Sequence, residues 1–226
     1  MLSFIPTPIG NKEDITLRAL RLLRELDIIF CEDTRTTIKL LRMYDVEYRN
    51  KKLLSYTSHT APNKLEQYLE LIKNTHCGVV SEAGTPWLSD PGKHLIKLCW
   101  EYHLPFEILP GATALIPTVI ATPSNTASFV YMWFPPTKKG RKTFLTNILQ
   151  YDHPVYIYES VHRIQKLLQQ MDDLWYKGRI IIGRELTKMY EQYKTWTIQE
   201  IQQKIESWDI TIKWEFVVWF FQNNEK

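Results

Sequence analysis

Val79-Val80-Ser81-Glu82-Ala83-Gly84-Thr85-Pro86-Trp87-Leu88-Ser89-Asp90-Pro91-Gly92 is the stretch on which the reading of this chain turns. Its first residues close an apolar, strand-like run. The chain then passes straight into a loop with two glycines, two prolines, two serines and two acids. Gly84 and Gly92 permit backbone geometry, or a close approach, that a Cβ would block. Thr85, Ser89 and Asp90 carry short polar groups suited to hydrogen-bonding a ligand. Ordered loops of this composition are often functional, so the stretch is read as one wall of a site for something small and polar.

On both sides of the loop, short apolar runs alternate with amphipathic segments. Residues 2–6 read as a strand, and Asp14 as an N-cap. Ile15, Ala19, Leu22, Leu23 and Leu26 then follow at helical spacing, with Arg18, Arg21 and Glu25 on the other face. A second strand is expected over 28–31 with a helix over 36–44, and a third strand over 52–55. Asn63 and Glu66 have capping-box spacing for another helix. A fourth strand spans 77–81, Pro91 suits a first helical turn, and a fifth strand over 106–109 precedes a helix from Ala112. Strands alternating with helices imply a largely parallel sheet covered on both faces. Ligands of such sheets sit outside the carboxyl ends of the strands. The segments 7–11, 32–35, 82–91 and 110–114 all fall at such ends.

The character of the chain changes over 121–140. Thr122-Pro123-Ser124-Asn125 and Pro135-Pro136-Thr137 flank a strand-like 128–134, and the division is expected between 1–121 and 122–226. The second part mixes strands (155–159, 179–184, 212–220) with helices (141–150, 161–173, 198–207). Thr197 and Glu200 form a capping box for the last helix. Val217-Val218-Trp219-Phe220-Phe221 is too apolar for an edge strand and is expected at the centre of a sheet.

The 226 residues are 44% hydrophobic, enough for a substantial core. No apolar run approaches the ~20 residues that cross a bilayer. Met1-Leu2-Ser3-Phe4 shows no basic n-region, so no secretory signal is expected. Cys31, Cys77 and Cys99 are odd in number and read as reduced thiols of a cytoplasmic protein. No cysteine or histidine spacing suggests a metal. The net charge of +3 neither requires nor excludes a nucleic-acid partner. Lys138-Lys139-Gly140-Arg141-Lys142 is a compact basic knot. With Arg18, Arg21, Arg24, Lys39 and Arg42 it would make a phosphate-tracking surface if the fold gathers them.

Taken singly, the candidate motifs are ambiguous. Thr7-Pro8-Ile9-Gly10-Asn11 alone is a turn, and it is neither a dinucleotide fingerprint nor a P-loop. In Cys31-Glu32-Asp33-Thr34-Arg35, Glu32 is balanced between helix capping and function. Asp33 and Arg35 have the chemistry to orient a hydroxyl and to hold a phosphate in a forked grip. Pro110-Gly111-Ala112-Thr113-Ala114 brings small residues and free backbone N–H groups to a helix start. Tyr158-Glu159-Ser160-Val161-His162-Arg163 sets a histidine between acid and base at a strand end. Arg184-Glu185-Leu186-Thr187-Lys188 with Glu191 resembles a charged hairpin, whose simplest reading is solvated ion pairs.

The ordered set TPIGNKEDITLRAL, CEDTR, SEAGTPWLSDPG, PGATAL, YESVHR, RELTK and KWEFVV resembles the ribosomal small subunit methyltransferase I family, from about residue 4 to residue 220. That family lies within the tetrapyrrole (corrin/porphyrin) methylase superfamily. The resemblance implies an α/β fold of two domains, with a mostly parallel sheet in the first and a mixed sheet in the second. It implies S-adenosylmethionine in the cleft between them, and a homodimer. Carried over by position, the cofactor contacts are Pro8, Ile9, Ala83, Thr85, Leu88, Thr113, Ala114, Tyr158, Leu186 and Glu215. The implied reaction methylates the 2′-hydroxyl of a cytidine ribose in 16S rRNA of the small ribosomal subunit. Asp33 and Glu159 are the candidate bases or orienters, and Arg35, Arg163 and Lys188 the candidate phosphate or hydroxyl partners. Three positions and one segment depart from the family pattern. Glu82 stands for Asp, Thr113 for Ser, Trp214 for Gly, and Met132-Trp133-Phe134-Pro135 for a GFLP-like segment. Two alternatives stay open on the same fold: a methylase acting on a small tetrapyrrole-type molecule, and a non-catalytic RNA-binding or ribosome-assembly protein.

Overall fold

The structure is a computed structural model that describes residues 1–57, 59–87, 93–123, 128–206 and 216–221. The chain divides into two compact units, Met1–Thr113 and Ala114–Lys226.

The first unit alternates strand and helix throughout. It runs β1 (Leu2–Ile5), a short 3-10 turn (Lys12–Asp14), α1 (Leu17–Glu25), β2 (Ile28–Cys31), α2 (Thr34–Met43) and β3 (Lys52–Ser55). It continues with α3 (Pro62–Asn74), β4 (Cys77–Val80), α4 (Lys93–Glu101) and β5 (Phe106–Ile108). The strand order is β3-β2-β4-β1-β5, and every pairing is parallel. β1, β2 and β4 are buried along their whole length, as expected for strands covered on both faces. Ala19, Leu22 and Leu23 of α1 and Leu41 of α2 pack with Ile5, Ile29 and Val80 on one face. Tyr68 and Ile72 of α3 and Leu95 and Cys99 of α4 pack with Leu2, Phe4, Phe30 and Val79 on the other. Neighbouring β2 and β4 are thus followed by helices on opposite faces and lead away from each other. In open α/β sheets, ligands usually sit outside the carboxyl ends of strands that diverge in this way.

The second unit contains α5 (Leu115–Ala121), β6 (Val130–Tyr131), α6 (Arg141–Ile148), β7 (Val155–Glu159), α7 (Ile164–Asp173), β8 (Arg179–Arg184), β9 (Gln192–Trp196), α8 (Ile198–Glu206) and β10 (Phe216–Phe221). Its sheet is mixed, in the order β6-β7-β10-β8-β9, with only β6 and β7 parallel. The apolar run at 217–221 lies in β10, centrally placed between β7 and β8. Phe216, Val218 and Phe220 face one core at the two-residue period of a strand. α5 seats against β8 because Gly183 has no side chain; a Cβ there would stand 2.6 Å from Thr118 Oγ1.

Several local expectations shift. The N-cap of α1 is Thr16, whose hydroxyl accepts from Ala19 N at 3.1 Å, while Asp14 closes the preceding 3-10 turn. α3 starts from Ala61 without a side-chain cap, because Pro62 sets the first helical φ and Asn63 turns its amide oxygen to Lys64 N. β9 had no clear sequence signal: Gln192-Tyr193-Lys194-Thr195-Trp196 is mostly polar, which an edge strand tolerates. The Thr197–Glu200 capping box is present in both directions, at 3.2 and 2.7 Å. No helix of the described residues is long and apolar enough to cross a membrane.

All three cysteines are buried and free. Burial raises the thiols of Cys31 and Cys99, and raises Cys77 to about 11. Since the thiolate is the reactive species, the native protein is expected to be inert to a thiol-exchange reagent at pH about 8. Titration in denaturant should then release all three thiols. Rapid reaction of any one in the folded protein would contradict this packing.

Candidate functional site

The loops after β1, β4 and β5 are tied into one structure at the carboxyl end of the first sheet. Thr7 N donates to Gly84 O at 2.9 Å and Gly84 N donates back to Thr7 O at 2.9 Å, an antiparallel bridge beyond the parallel strands. Thr7 Oγ1 donates to Ser81 O at 3.2 Å, and Ser81 Oγ to Gly84 O at 2.9 Å. Thr85 Oγ1 reaches the third loop and donates to Ala112 O at 3.1 Å. The two glycines of this assembly are both required. Gly84 has φ +87°, and a Cβ there would lie 3.3 Å from Ile9 Cγ2. At Gly111 a Cβ would stand 2.4 Å from Pro6 Cβ, so the loop after β5 lies directly on the end of β1.

The loop after β2 supplies charge. Asp33 caps α2, with Oδ1 accepting from Arg35 N at 2.7 Å, and it also holds the Arg35 guanidinium, Nη2 to Oδ2 at 2.6 Å. The side chain and backbone N–H of Arg35 lower the Asp33 carboxyl to about 2. Arg35 itself is 85% exposed. Burial, and then the charge of Glu82, push the Glu32 carboxyl upward. The charge of Glu82, in the loop after β4, therefore acts on both Glu32 and Arg35 of the loop after β2. Glu32 is the functional candidate that sequence reasoning left undecided. Its signal, an acid at a strand end beside a second acid in the next loop, needed the β2–β4 pairing to become visible.

Of the carried-over cofactor contacts in the first unit, Pro8, Ile9, Ala83 and Thr85 belong to the knitted loops. Thr113 and Ala114 lie where the two units join in sequence, with Ala114 at the N-cap of α5. Leu88 and Glu215 lie outside the described residues, as does Trp214.

In the second unit the structure gathers Glu159 and Arg163 but encloses the acid. Glu159, at the end of β7, is fully buried. Its Oε2 receives Arg141 Nη2 at 2.9 Å and its Oε1 receives Arg163 Nε at 2.9 Å and Ser160 N at 2.8 Å. Arg141 also donates to Gln170 Oε1 at 2.7 Å and to Pro136 O, and Arg163 to Pro135 O. Both carboxylate oxygens are committed, so Glu159 is an anchor for residues 135–141 and not a group open to a substrate hydroxyl. His162 is exposed next to it. Tyr158 is buried and packs on Tyr131 and Phe134. Leu186 is buried in the turn joining β8 to β9. Glu185 and Thr187 on either side of it have φ +52° and +64°, strain of the kind that clusters at functional segments. Lys188 Nζ lies 3.7 Å from Glu185 Oε1, and Glu191 accepts from Thr187 N.

Comparison with known proteins bears on the family and the fold. Residues 1–202 match the family of Tetrapyrrole (Corrin/Porphyrin) Methylases. The ribosomal RNA small subunit methyltransferase I of Hydrogenobaculum sp. (strain Y04AAS1) is 37% identical, covering 99% of this chain and 96% of its own. The protein of the same name from Borrelia garinii subsp. bavariensis is also 37% identical, over 96% of this chain and 97% of its own. Among solved structures, diphthine synthase superposes with a TM-score of 0.69 at 11% identity, covering 97% of this chain and 89% of that one.

Two predictions follow from the loops. Gly111→Ala must displace the end of β1 and should lower stability by about 1–3 kcal/mol in denaturant titration; an unchanged midpoint would contradict the close approach. Glu32→Gln tests the charge pair. A carboxyl whose pKa is raised on folding opposes folding progressively as pH climbs past its unfolded value, and the effect levels off above its folded value. The substitution should therefore be neutral near the ordinary value of 4.5 and increasingly stabilising toward pH 7, read by thermal melts.

Proposed function

Because the chain belongs to the tetrapyrrole (corrin/porphyrin) methylase family and, within it, to the ribosomal RNA small subunit methyltransferase I family, we propose that it methylates the 2′-hydroxyl of a cytidine ribose in 16S rRNA, using S-adenosylmethionine. The observation that carries the reading is the knitting of the loops after β1, β4 and β5 through Thr7, Gly84 and Thr85. It supports a binding site made of backbone and short side chains, at the motif residues that carry the family resemblance.

The residues present fit such a cofactor. The φ of +87° at buried Gly84 turns the chain so that Ala83 beside it is exposed, and a polar ligand would meet only a short side chain there. Pro8, Ile9, Ala83, Thr85, Leu88, Thr113 and Ala114 would hold it, with Tyr158, Leu186 and Glu215 as contacts from the second unit. S-adenosylmethionine supplies an activated methyl group when bound. What the chain supplies is position: reacting atoms held at near-attack distance account for much of the attainable rate.

Proton handling divides the carboxylates. A general base works best with a pKa near the operating pH, and Asp33 at about 2 is far from it. Asp33 therefore orients Arg35, whose exposed guanidinium would grip a substrate phosphate in a forked, bidentate way. Glu32, raised by burial and by Glu82, is better suited to receive the ribose hydroxyl proton. Arg163 and Lys188 would serve as further phosphate or hydroxyl partners, with Glu159 holding Arg163 in place.

Incubation with methyl-labelled cofactor and unmodified small ribosomal subunits, followed by mapping of the label, tests the reading. Label at one cytidine ribose is expected. Label on free small molecules but not RNA would point to the tetrapyrrole-type alternative, and no calorimetric binding at millimolar cofactor to a non-catalytic protein. Asp33→Ala and Arg35→Ala should each retain cofactor binding and lower methyl transfer about 10–100-fold, the scale of a misplaced substrate. Normal transfer by both variants would remove these residues from the mechanism.

A further inference from the structure

We propose that the exposed cations of residues 138–142, together with Lys166 at the start of α7, form the surface on which the phosphate backbone of the RNA substrate docks. The inference rests on the rRNA reading above and supplies a substrate surface for it. Lys138, Lys139 and Lys142 are exposed, whereas Arg141 between them is turned inward to Glu159 and Gln170. That buried contact fixes the segment. Pro135 and Pro136 give their carbonyls to Arg163 and Arg141, so the lysines stand on a rigid strap and not on a loose loop. Two guanidinium groups share the single carboxylate of Glu159. The frame beneath the lysines therefore carries a net positive charge of its own.

The placement of these charges runs against what folding alone favours. Helix amino ends favour acids and carboxyl ends favour bases. Here α6 and α7 have no acid in their first turns, and neither has a side-chain cap. Lys142 and Lys166 occupy those turns instead, while Asp172 and Asp173 sit at the far end of α7 and Asp152 lies beyond α6. Among the described residues, Lys138, Lys139, Lys142 and Lys166 take part in no ion pair. A set of cations that opposes its own helices and is left unneutralised is arranged for an external anion. Aromatic groups favour RNA over an acidic protein as that anion. Trp133 is exposed with φ +30° at the start of the strap, and Phe134 lies under the Arg163 guanidinium at 5.9 Å. Flat rings interleaved with cations are how single-stranded nucleic acid is held.

The test compares wild type with a Lys138→Glu/Lys139→Glu/Lys142→Glu variant, in binding to isolated 16S rRNA and to small ribosomal subunits across about 50–200 mM salt. The variant should bind at least about tenfold more weakly. Its salt dependence should be shallower by about two in log–log slope, as expected for three lost phosphate contacts. Calorimetric binding of S-adenosylmethionine should be unchanged, and the thermal midpoint equal or higher, which separates docking from misfolding. The corresponding triple arginine variant should bind like wild type. Wild-type affinity and slope in the glutamate variant would overturn the proposal. So would a loss confined to intact subunits with rRNA binding retained, which would assign the surface to a ribosomal protein. Binding is read without methyl transfer. Wild type that binds rRNA through these lysines yet transfers no methyl would sink the functional reading and leave this one standing.

Discussion

The carboxyl end of the first sheet depends on the pair of hydrogen bonds exchanged by Thr7 and Gly84. β1 and β4 are parallel neighbours, so the segments that follow them would ordinarily part toward opposite faces of the sheet. The antiparallel bridge holds them together for one more residue before they separate. It requires a positive φ at Gly84, which only glycine adopts without cost. Ser81 and Thr85 extend the lock to either side, and Gly111 lets the next loop lie directly on Pro6. The polar groups of these loops are thus largely spent on one another. The described parts of the three loops are thereby fixed to one another, and preorganisation of this kind is what a binding site requires.

The second unit meets a different constraint by a different device. Its strap, residues 135–141, has little regular structure, and its carbonyls would be left without partners if buried. Arg141 and Arg163 satisfy them and are themselves balanced on Glu159. A buried ion pair is not in itself evidence of stability, because desolvation offsets much of the attraction. Its consequence here is specificity: the guanidinium forks accept only one path for the strap. The exposed lysines stand beside that frame, whose one buried acid offsets only part of the positive charge gathered near the two helix starts.

Much of this was legible in the sequence, and the reasons are physical. The parallel first sheet could be read because uninterrupted apolar runs such as Cys77–Val80 suit strands buried on both faces. β10 could be placed centrally because 217–221 has no polar residue to show to water. Thr197 and Glu200 stated their own capping box. Illegible features depended on partners distant in sequence. Arg141 looked like one more surface cation until β7 brought Glu159 beneath it. Asn63 lost its capping role because the fixed φ of Pro62 starts the helix earlier. β9 lacks an apolar period because an edge strand does not need one. Glu32 and Glu82 are 50 residues apart in number, and nothing local announces that β2 and β4 set them side by side.

The same pairing decides how the candidate site can handle a proton. Three carboxylates of the motifs were plausible acceptors by type alone, and their surroundings separate them. Asp33 is drained of basicity by the arginine it holds. Glu159 has given both oxygens to guanidinium groups in a dry interior. Glu32 is partly buried and feels the charge of a second acid, Glu82, which together raise its affinity for a proton. The charge of Glu82 that carries this repulsion also acts on Arg35. One residue, Glu82, therefore acts on both the partly buried acid and the exposed arginine of the loop after β2.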